Sequence, residues 1–357
     1  MTRDKRMGAV SKGHNHGIHL ARGLCAIGVA GYHYLSWEHG VAIESAGAFL
    51  VYVFFTISAL TLMMVHAGDF AREIDFAKAL DFYQRRVARI LPLLSGVALF
   101  AAILGSVLSG SMQIGTFARA YLTGSTLFGL QMPGLISNVV AAWSLGIESV
   151  FYLVFPVIAL LANNVRLRTI VFATILLIAG QQATILLIHG EQSPTFWFYY
   201  ANPLVFSPFF ALGIIIYFRP LPVHAANFWL SVLALAAIAG FSVITPMDVY
   251  RNPAVYLFLT ALTGGAVLTA YSAVVPGWIT GVGGVLGDIS YALYLTHWFS
   301  YRLSDSIAAR LGIEGLQPLI FIFVAPTAAY LLFRYFERPM RDLLRSRRPM
   351  MVVRQKQ

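Results

Sequence analysis

The sequence predicts an all-α membrane protein, a polytopic bundle of about ten transmembrane helices with both termini in the cytoplasm. Composition, apolar runs and the distribution of charge all support this fold class. Of the 357 residues, 58% are hydrophobic and only 11% are charged, and the mean hydropathy is +0.73. A soluble globular protein carries about 45–50% apolar and about 25% charged residues. This chain therefore cannot cover a water-facing surface, and its composition also excludes a disordered chain, a disulfide-rich secreted module and a coiled coil.

Apolar stretches long enough to cross a bilayer follow one another along the chain, because a transmembrane helix needs about 20 mainly apolar residues. Charged residues or Gly and Pro bound each stretch. The ninth is shorter and more polar than the others. The ten predicted spans are 20–37, 46–66, 90–110, 142–162, 169–188, 203–218, 228–245, 254–272, 288–302 and 316–336.

The basic residues orient these spans. The 25 Lys and Arg against 15 Asp and Glu give a net charge of +10. If the N-terminus is cytoplasmic, 21 of the 25 basic residues fall on the cytoplasmic side, and the positive-inside rule favours this orientation. The surplus thus indicates topology and not a nucleic-acid partner. The four basic residues on the opposite side are Arg119, Arg251, Arg302 and Arg310.

The chain divides into a basic cytoplasmic N-terminal segment (1–19), a transmembrane domain (20–337) and a basic cytoplasmic tail (338–357). We expect the tail to lie on anionic lipid rather than to fold. The longest external stretch is 111–140. The lone Cys25 cannot form an internal disulfide.

Arg22 and His33 in the first span are the first candidate functional residues, because ionisable groups inside membrane helices are expensive. Eleven positions separate them, which is about 20° beyond three full turns and roughly 16 Å along the axis. They therefore lie on one face, which suits an anionic ligand held by Arg22 with its reactive end at His33, a general base for a hydroxyl. The alternative is a structural histidine and an arginine that reaches the headgroups.

Three arginines, Arg85, Arg86 and Arg89, precede the predicted third span. Arg85 and Arg89 form an i, i+4 pair on one helical face. Arginine binds phosphates through paired hydrogen bonds, so the cluster suits a phosphorylated cytosolic ligand. A positive-inside anchor would explain the same residues.

A lone carboxylate, Glu148, lies early in the fourth span and needs a partner there, for which we expect His33 or an arginine. It could orient the base, stay protonated or brace two helices.

The ninth span carries a polar stripe of Ser290, Tyr294 and His297 on one helical face. The stripe either lines a substrate tunnel or joins helices through hydrogen bonds.

Several catalytic and metal-binding motifs are absent: P-loop, HExxH, CxxC, GxSxG and GxGxxG. His14, His16 and His19 are loosely spaced in a Gly-rich tail, which favours a solvated segment over a metal site.

In its motifs the sequence resembles the acyltransferase 3 family, the integral membrane O-acyltransferases of bacterial glycan modification. The resemblance runs in order through most of the chain. The matching segments are 18–24 with Tyr32-His33, the Phe-Phe-x-x-Ser stretch 53–59, the Arg-rich segment 85–92, Trp143-Ser144-Leu145 with Glu148, and the closing segments 289–297 and 337–339. Ala59 stands where the family usually has Gly, and Ser149 where many members carry a second carboxylate.

The resemblance implies an acyl-CoA donor, acetyl-CoA or another acyl-CoA, and transfer to a hydroxyl of a cell-surface glycan or other carbohydrate-containing acceptor. It also implies a multi-pass protein of the bacterial cytoplasmic membrane that needs no metal. His33, Arg22 and Glu148 match the catalytic positions, and Arg85, Arg86 and Arg89 match positions that contact CoA phosphates. We expect Arg22 to bind the CoA phosphates as well. We expect the substrate to be bound by Ser144, Ser290, Tyr294 and His297.

A proton-coupled transporter of an anionic or acylated metabolite is the competing function, because intramembrane Arg, His and Glu suit it equally well. No internal repeat or pair of Gly/Pro-broken helices supports it. A structural or sensory membrane protein would leave the Arg22–His33 face unexplained. The sequence identifies neither the acceptor nor the acyl length, and it leaves homo-oligomerisation open.

Overall fold

The computed structural model describes residues 15–38, 40–41, 44–112, 115, 139–140, 142–189, 195–244 and 249–346. Within these ranges the chain forms helices and no strand. Two π-helical turns, Tyr34–Glu38 and Phe333–Glu337, extend α1 and α11. The α-helices are α1 His16–His33, α2 Glu44–His66, α3 Phe76–Ser109, α4 Ala142–Asn163, α5 Val165–His189, α6 Phe196–Tyr200, α7 Pro203–Phe218, α8 Ala225–Ile244, α9 Pro253–Tyr271, α10 Gly277–Leu311, α11 Gln317–Leu332 and α12 Arg338–Ser346.

Each of the ten predicted spans overlaps one of these helices. Seven segments of the described chain are long and apolar enough to cross a membrane, which confirms an all-α membrane protein. Helices α1 and α10 are not among them; they carry the Arg22–His33 face and the polar stripe. The number of ten spans and the sides of the termini stay predictions. The seven segments are Ala46–His66, Phe76–Ser109, Ala142–Asn163, Val165–Leu186, Phe198–Phe218, Pro253–Tyr271 and Gln317–Arg345.

Two helices are much longer than their predicted spans. The predicted span 90–110 is the second half of α3, a helix of 34 residues that begins at Phe76, where the side chain of Asp75 accepts a hydrogen bond from the Lys78 amide. The predicted span 288–302 is the middle of α10, a helix of 35 residues. Charges and glycines therefore do not end these helices, and the arginine cluster lies within α3.

The chain ends also differ from the prediction. Helix α1 begins at His16, capped by the Asn15 side chain, so the last residues of the predicted N-terminal segment are helical. The first nine residues of the tail form α12, although we expected no folded structure there. Residues 1–14, most of 111–140 and 347–357 lie outside the described residues.

Helix α2 lies at the centre of the bundle and packs against α1, α4, α7, α8 and α9. Its contact with α7 is close, because a Cβ on Gly213 would meet the Ala59 Cβ at 2.8 Å and the Leu60 nitrogen at 2.9 Å. Large buried aromatic rings fill the space around it. The Tyr52 and Phe209 rings stack with centroids 4.0 Å apart.

The most extensive contact between helices joins α1 and α10, and glycines allow it. A Cβ on Gly23 would lie 2.5 Å from the Leu286 Cβ, and one on Gly287 would lie 2.7 Å from the His19 Nδ1. Small residues let membrane helices approach closely enough for their backbones to touch. This approach brings the polar faces of the two helices together.

Gly287→Ala is expected to loosen this contact, lowering the stability of the detergent-solubilised protein by about 1–3 kcal/mol, since an added methyl group has no room there. Thermal unfolding measures the effect. Gly281→Ala is the matched control in the same helix, because nothing lies within 4 Å of its new Cβ. Equal melting temperatures for the two variants would contradict the prediction.

Candidate active site

A cavity of about 900 Å³ lies between α1, α2, α3, α4, α7, α9 and α10. It extends along α2 from Val51 to Val65, a distance of roughly 20 Å for fourteen helical residues. At one end it is bounded by the start of α1, the end of α2, the first half of α3 and the end of α7. The predicted topology puts all of these helix segments at the cytoplasmic side, so we call this end the mouth and the other the inner end.

Three arginines and one carboxylate line the cavity: Arg22, Arg86, Arg89 and Glu148. The Arg22 Nη2 donates to the Ser290 Oγ across 3.2 Å, and the Ser290 hydroxyl donates to the Gly287 carbonyl at 2.7 Å. Arg22 of α1 and the polar stripe of α10 are therefore in direct contact.

The arginine cluster divides between two environments. Arg86 and Arg89 line the cavity, whereas Arg85 forms an exposed ion pair with Asp81, with Nε and Oδ2 2.6 Å apart. The predicted grouping of Arg85 with Arg89 on the ligand-binding face thus differs from the structure, in which the i, i+3 pair faces the cavity. Arg85 points away from the other two arginines because it pairs with Asp81, which lies one turn earlier on the exposed side of α3.

Aromatic rings hold the Arg86 guanidinium. Its Cζ lies 5.6 Å from the Phe82 ring centroid and 5.8 Å from that of Tyr152, within the range of a cation–π attraction. Its Nε is buried and has no hydrogen-bond partner among the described residues. The rings therefore fix the position of this guanidinium at the wall of the cavity.

Glu148 is fixed by two hydroxyls that the sequence did not reveal. Its Oε1 accepts a hydrogen bond from the Ser58 Oγ at 2.6 Å and another from the Tyr152 hydroxyl. We had expected His33 or an arginine as its partner. The Tyr152 contact follows from an i, i+4 spacing, but Ser58 comes from a different helix, α2, and no spacing in the sequence predicts that contact.

Two arginines act on Glu148 at longer range. Arg22 and Arg86 each attract the carboxylate electrostatically, although neither forms an ion pair with it within the described part of the chain. Glu148 therefore offsets part of the positive charge of the cavity while Ser58 and Tyr152 fix its position.

His33 stacks on His297. The ring centroids are 4.8 Å apart and the planes differ by 19°. The His297 Nδ1 lies 2.8 Å from the Tyr294 carbonyl oxygen, which only accepts hydrogen bonds, so this nitrogen carries the hydrogen. The His297 Nε2 is then an acceptor, and it is buried without a hydrogen-bond partner among the described residues. Neither imidazole lines the cavity itself.

Tyr294 connects the cavity to the two histidines through its backbone carbonyl, and Ser144 lies beside its hydroxyl. Both line the cavity, and their hydroxyl oxygens are 2.8 Å apart. The predicted polar stripe is thus one face of α10 directed at α1: Ser290 meets Arg22, and His297 meets His33. Ser290 and Tyr294 of the stripe line the cavity, whereas His297 does not; that the stripe binds substrate stays a prediction.

The cavity holds no cluster of metal ligands. Within the described residues, no group of three or more His, Cys, Asp or Glu side chains could hold a metal ion. His16 and His19 lie in α1 and not in a solvated tail, and His14 lies outside the described residues.

The family model of the acyltransferase domain Acyl_transf_3 matches residues 15–334, a range that includes all of these cavity residues. The chain belongs to the acyltransferase 3 family. This acyltransferase is similar to the acyltransferase MdmB of Streptomyces mycarofaciens, with 28% identity in an alignment of 343 positions that covers 86% of this chain and 84% of the relative. No solved structure matches it. Together with the membrane-spanning helices, the family makes it a membrane acyltransferase.

Proposed function

We propose that the protein is an O-acyltransferase of the bacterial cytoplasmic membrane that transfers an acyl group, acetyl or longer, from cytosolic acyl-CoA to a hydroxyl of a cell-surface glycan or other carbohydrate-containing acceptor. One observation carries the proposal: an arginine-lined cavity leads from the mouth to Tyr294, whose backbone carbonyl accepts the hydrogen bond of His297, the residue that stacks on His33. A long, phosphorylated thioester fits such a cavity with its charged end at the mouth and its carbonyl at the inner end.

The charges of the cavity favour the phosphates of the donor. Arg22, Arg86 and Arg89 face a single carboxylate, Glu148, so the cavity carries an excess of positive charge. Guanidinium groups bind phosphate through short, charge-assisted hydrogen bonds.

His33 is the base in the proposed reaction. The acceptor hydroxyl gives its proton to the imidazole while its oxygen attacks the thioester carbon. The C–S bond then breaks, and the CoA thiolate takes the proton back from the imidazolium. In a second version His33 attacks first and carries the acyl group to the acceptor, with the same products. Glu148 stabilises the positive charge around the site in both versions.

The topology gives the reaction a direction. With both termini in the cytoplasm, Arg22 is near the cytoplasmic surface and His33 is roughly 16 Å further out along α1. The donor then enters from the cytoplasm, and the acceptor reaches His33 from the outer half of the membrane.

Radiolabelled acetyl-CoA added to membrane vesicles tests the proposal. We expect label on a glycan or other hydroxyl acceptor in inside-out vesicles and none in sealed right-side-out vesicles, since the predicted topology places the mouth at the cytoplasmic side. Transfer only in right-side-out vesicles would contradict the orientation. Label that accumulates inside the vesicles without becoming covalently attached would instead support the transporter.

A further inference from the structure

We propose that Tyr217, Phe218 and Tyr271 form a nucleobase-binding site at the mouth of the cavity, which holds the adenine ring of the donor and favours nucleotide-bearing thioesters over thioesters that lack the base. We call these three residues the aromatic wall. The inference rests on the proposed acyl transfer and adds to it a site that determines which donor is accepted.

The aromatic wall belongs to the cavity and not to the lipid-facing surface. All three residues line the cavity. Phe218 is the last residue of α7 and Tyr271 the last of α9. Tyr271 is only 9% exposed, and its hydroxyl interacts electrostatically with that of Tyr217. Tyrosines also collect where a helix surface meets lipid headgroups, but that preference does not explain rings that line an internal cavity.

Neighbouring side chains hold the aromatic wall in place. The Asn15 Nδ2 donates to the Tyr271 carbonyl oxygen at 2.9 Å, which joins the end of α9 to the start of α1. Arg168 of α5 lies over the Phe218 ring, with its Cζ 4.3 Å from the ring centroid, and its Nη1 donates to the Ala162 carbonyl at 3.3 Å. Because the site is ordered before the donor arrives, little binding free energy is lost in ordering it.

The charges beside the aromatic wall indicate which flat ligand it takes. Arg86 and Arg89 line the same cavity and come from α3, which packs against α4 and α10, whereas the aromatic wall comes from α7 and α9, which pack against each other. A nucleotide fits both sides, because its phosphates bind guanidinium groups and its base stacks on aromatic rings. A thioester without a nucleotide offers neither group.

Binding of ADP and of inorganic pyrophosphate to the purified protein tests the inference, since both carry a diphosphate and only ADP carries the base. We expect the unchanged protein to bind ADP more tightly. The double change Tyr217→Leu and Phe218→Leu should raise Kd for ADP about tenfold, within the range of about 5–150-fold for a stacked base, and change Kd for pyrophosphate less than about twofold. Tyr271→Leu, on a different helix, should have the same effect and keeps the test valid if the double variant fails to fold.

Transfer kinetics give a second readout. S-acetylpantetheine carries the same acetyl thioester as acetyl-CoA but no nucleotide. In membranes that contain the native acceptor, we expect the ratio of kcat/KM for acetyl-CoA to kcat/KM for S-acetylpantetheine to fall about tenfold in the variants of the aromatic wall. A general disturbance of the fold would lower both values and leave their ratio unchanged.

Tyr335→Leu is the matched control. Tyr335 is 74% exposed in the π-helical turn after α11 and does not line the cavity, so we expect Kd for ADP to stay as in the unchanged protein. The inference is overturned if the unchanged protein binds ADP no more tightly than pyrophosphate, if the variants of the aromatic wall keep their affinity for ADP or lose pyrophosphate equally, or if Tyr335→Leu weakens ADP binding as much. Absence of transfer from acetyl-CoA, with ADP binding intact, would instead overturn the proposed function.

Discussion

Replacing His33 by Gln is expected to lower acyl transfer by about 10²–10⁴-fold, the range that a general base contributes, while the protein still folds in the membrane. Glutamine keeps a polar side chain beside His297 but cannot take the proton of the acceptor hydroxyl at neutral pH. The loss should appear in kcat, since His33 lies beyond the inner end of the cavity and does not line the part that holds the donor.

Label transfer from radioactive acetyl-CoA measures this effect, and CoA binding with thermal unfolding shows that the variant is folded. His189→Gln is the control. His189 is the last residue of a different helix, α5, and its ring stacks on that of Tyr199 with centroids 4.2 Å apart. Full activity in the His33 variant would exclude His33 as base and as acyl carrier.

The double change Arg86→Gln and Arg89→Gln is expected to raise KM for acyl-CoA by about 10²-fold, because hydrogen bonds to charged groups contribute about 1.5–3 kcal/mol each. The value of kcat should change much less, since these groups lie toward the mouth and bind the donor equally before and during the reaction.

Arg85→Gln is the matched control from the same segment. Its guanidinium is outside the cavity and paired with Asp81. We therefore expect KM for acyl-CoA to stay within about twofold, because an exposed ion pair contributes little free energy. Arg86→Lys and Arg89→Lys distinguish the effect of positive charge from that of paired hydrogen bonds to phosphate, because lysine keeps the charge but lacks the two parallel donors of arginine. A rise in KM with Arg85→Gln as large as that of the double variant would show that the three arginines act only as a general positive surface.

Helical periodicity explains what the sequence could predict of the site. The Arg22–His33 face and the stripe from Ser290 to His297 each lie on one helix, so 100° per residue is enough to group them. Their contacts with each other, Arg22 to Ser290 and His33 to His297, depend on how α1 and α10 pack. That packing depends on glycines of both helices, Gly23 and Gly287, and their spacing in the sequence does not show which helix packs against them.

The arginine cluster shows the limit of the same reasoning. The spacings of both Arg85–Arg89 and Arg86–Arg89 place two residues on one helical face, and periodicity alone cannot choose between them. The choice is made by a neighbouring helix, through the Tyr152 ring of α4 beneath Arg86, and by Asp81 beside Arg85. The start of α3 differs from the prediction for a related reason: its first turns are charged, yet a capped helix continues through them.

The pairing of α1 with α10 also bears on how the protein is made. The site is assembled from two helices, and α10 leaves the ribosome only after the 243 residues between His33 and Gly277 have followed α1. Until α10 arrives, Arg22 and His33 have neither Ser290 nor His297 beside them, and α1 is too polar to rank among the membrane-crossing segments by hydropathy. A nascent chain that ends before Gly277 therefore holds an unfinished site.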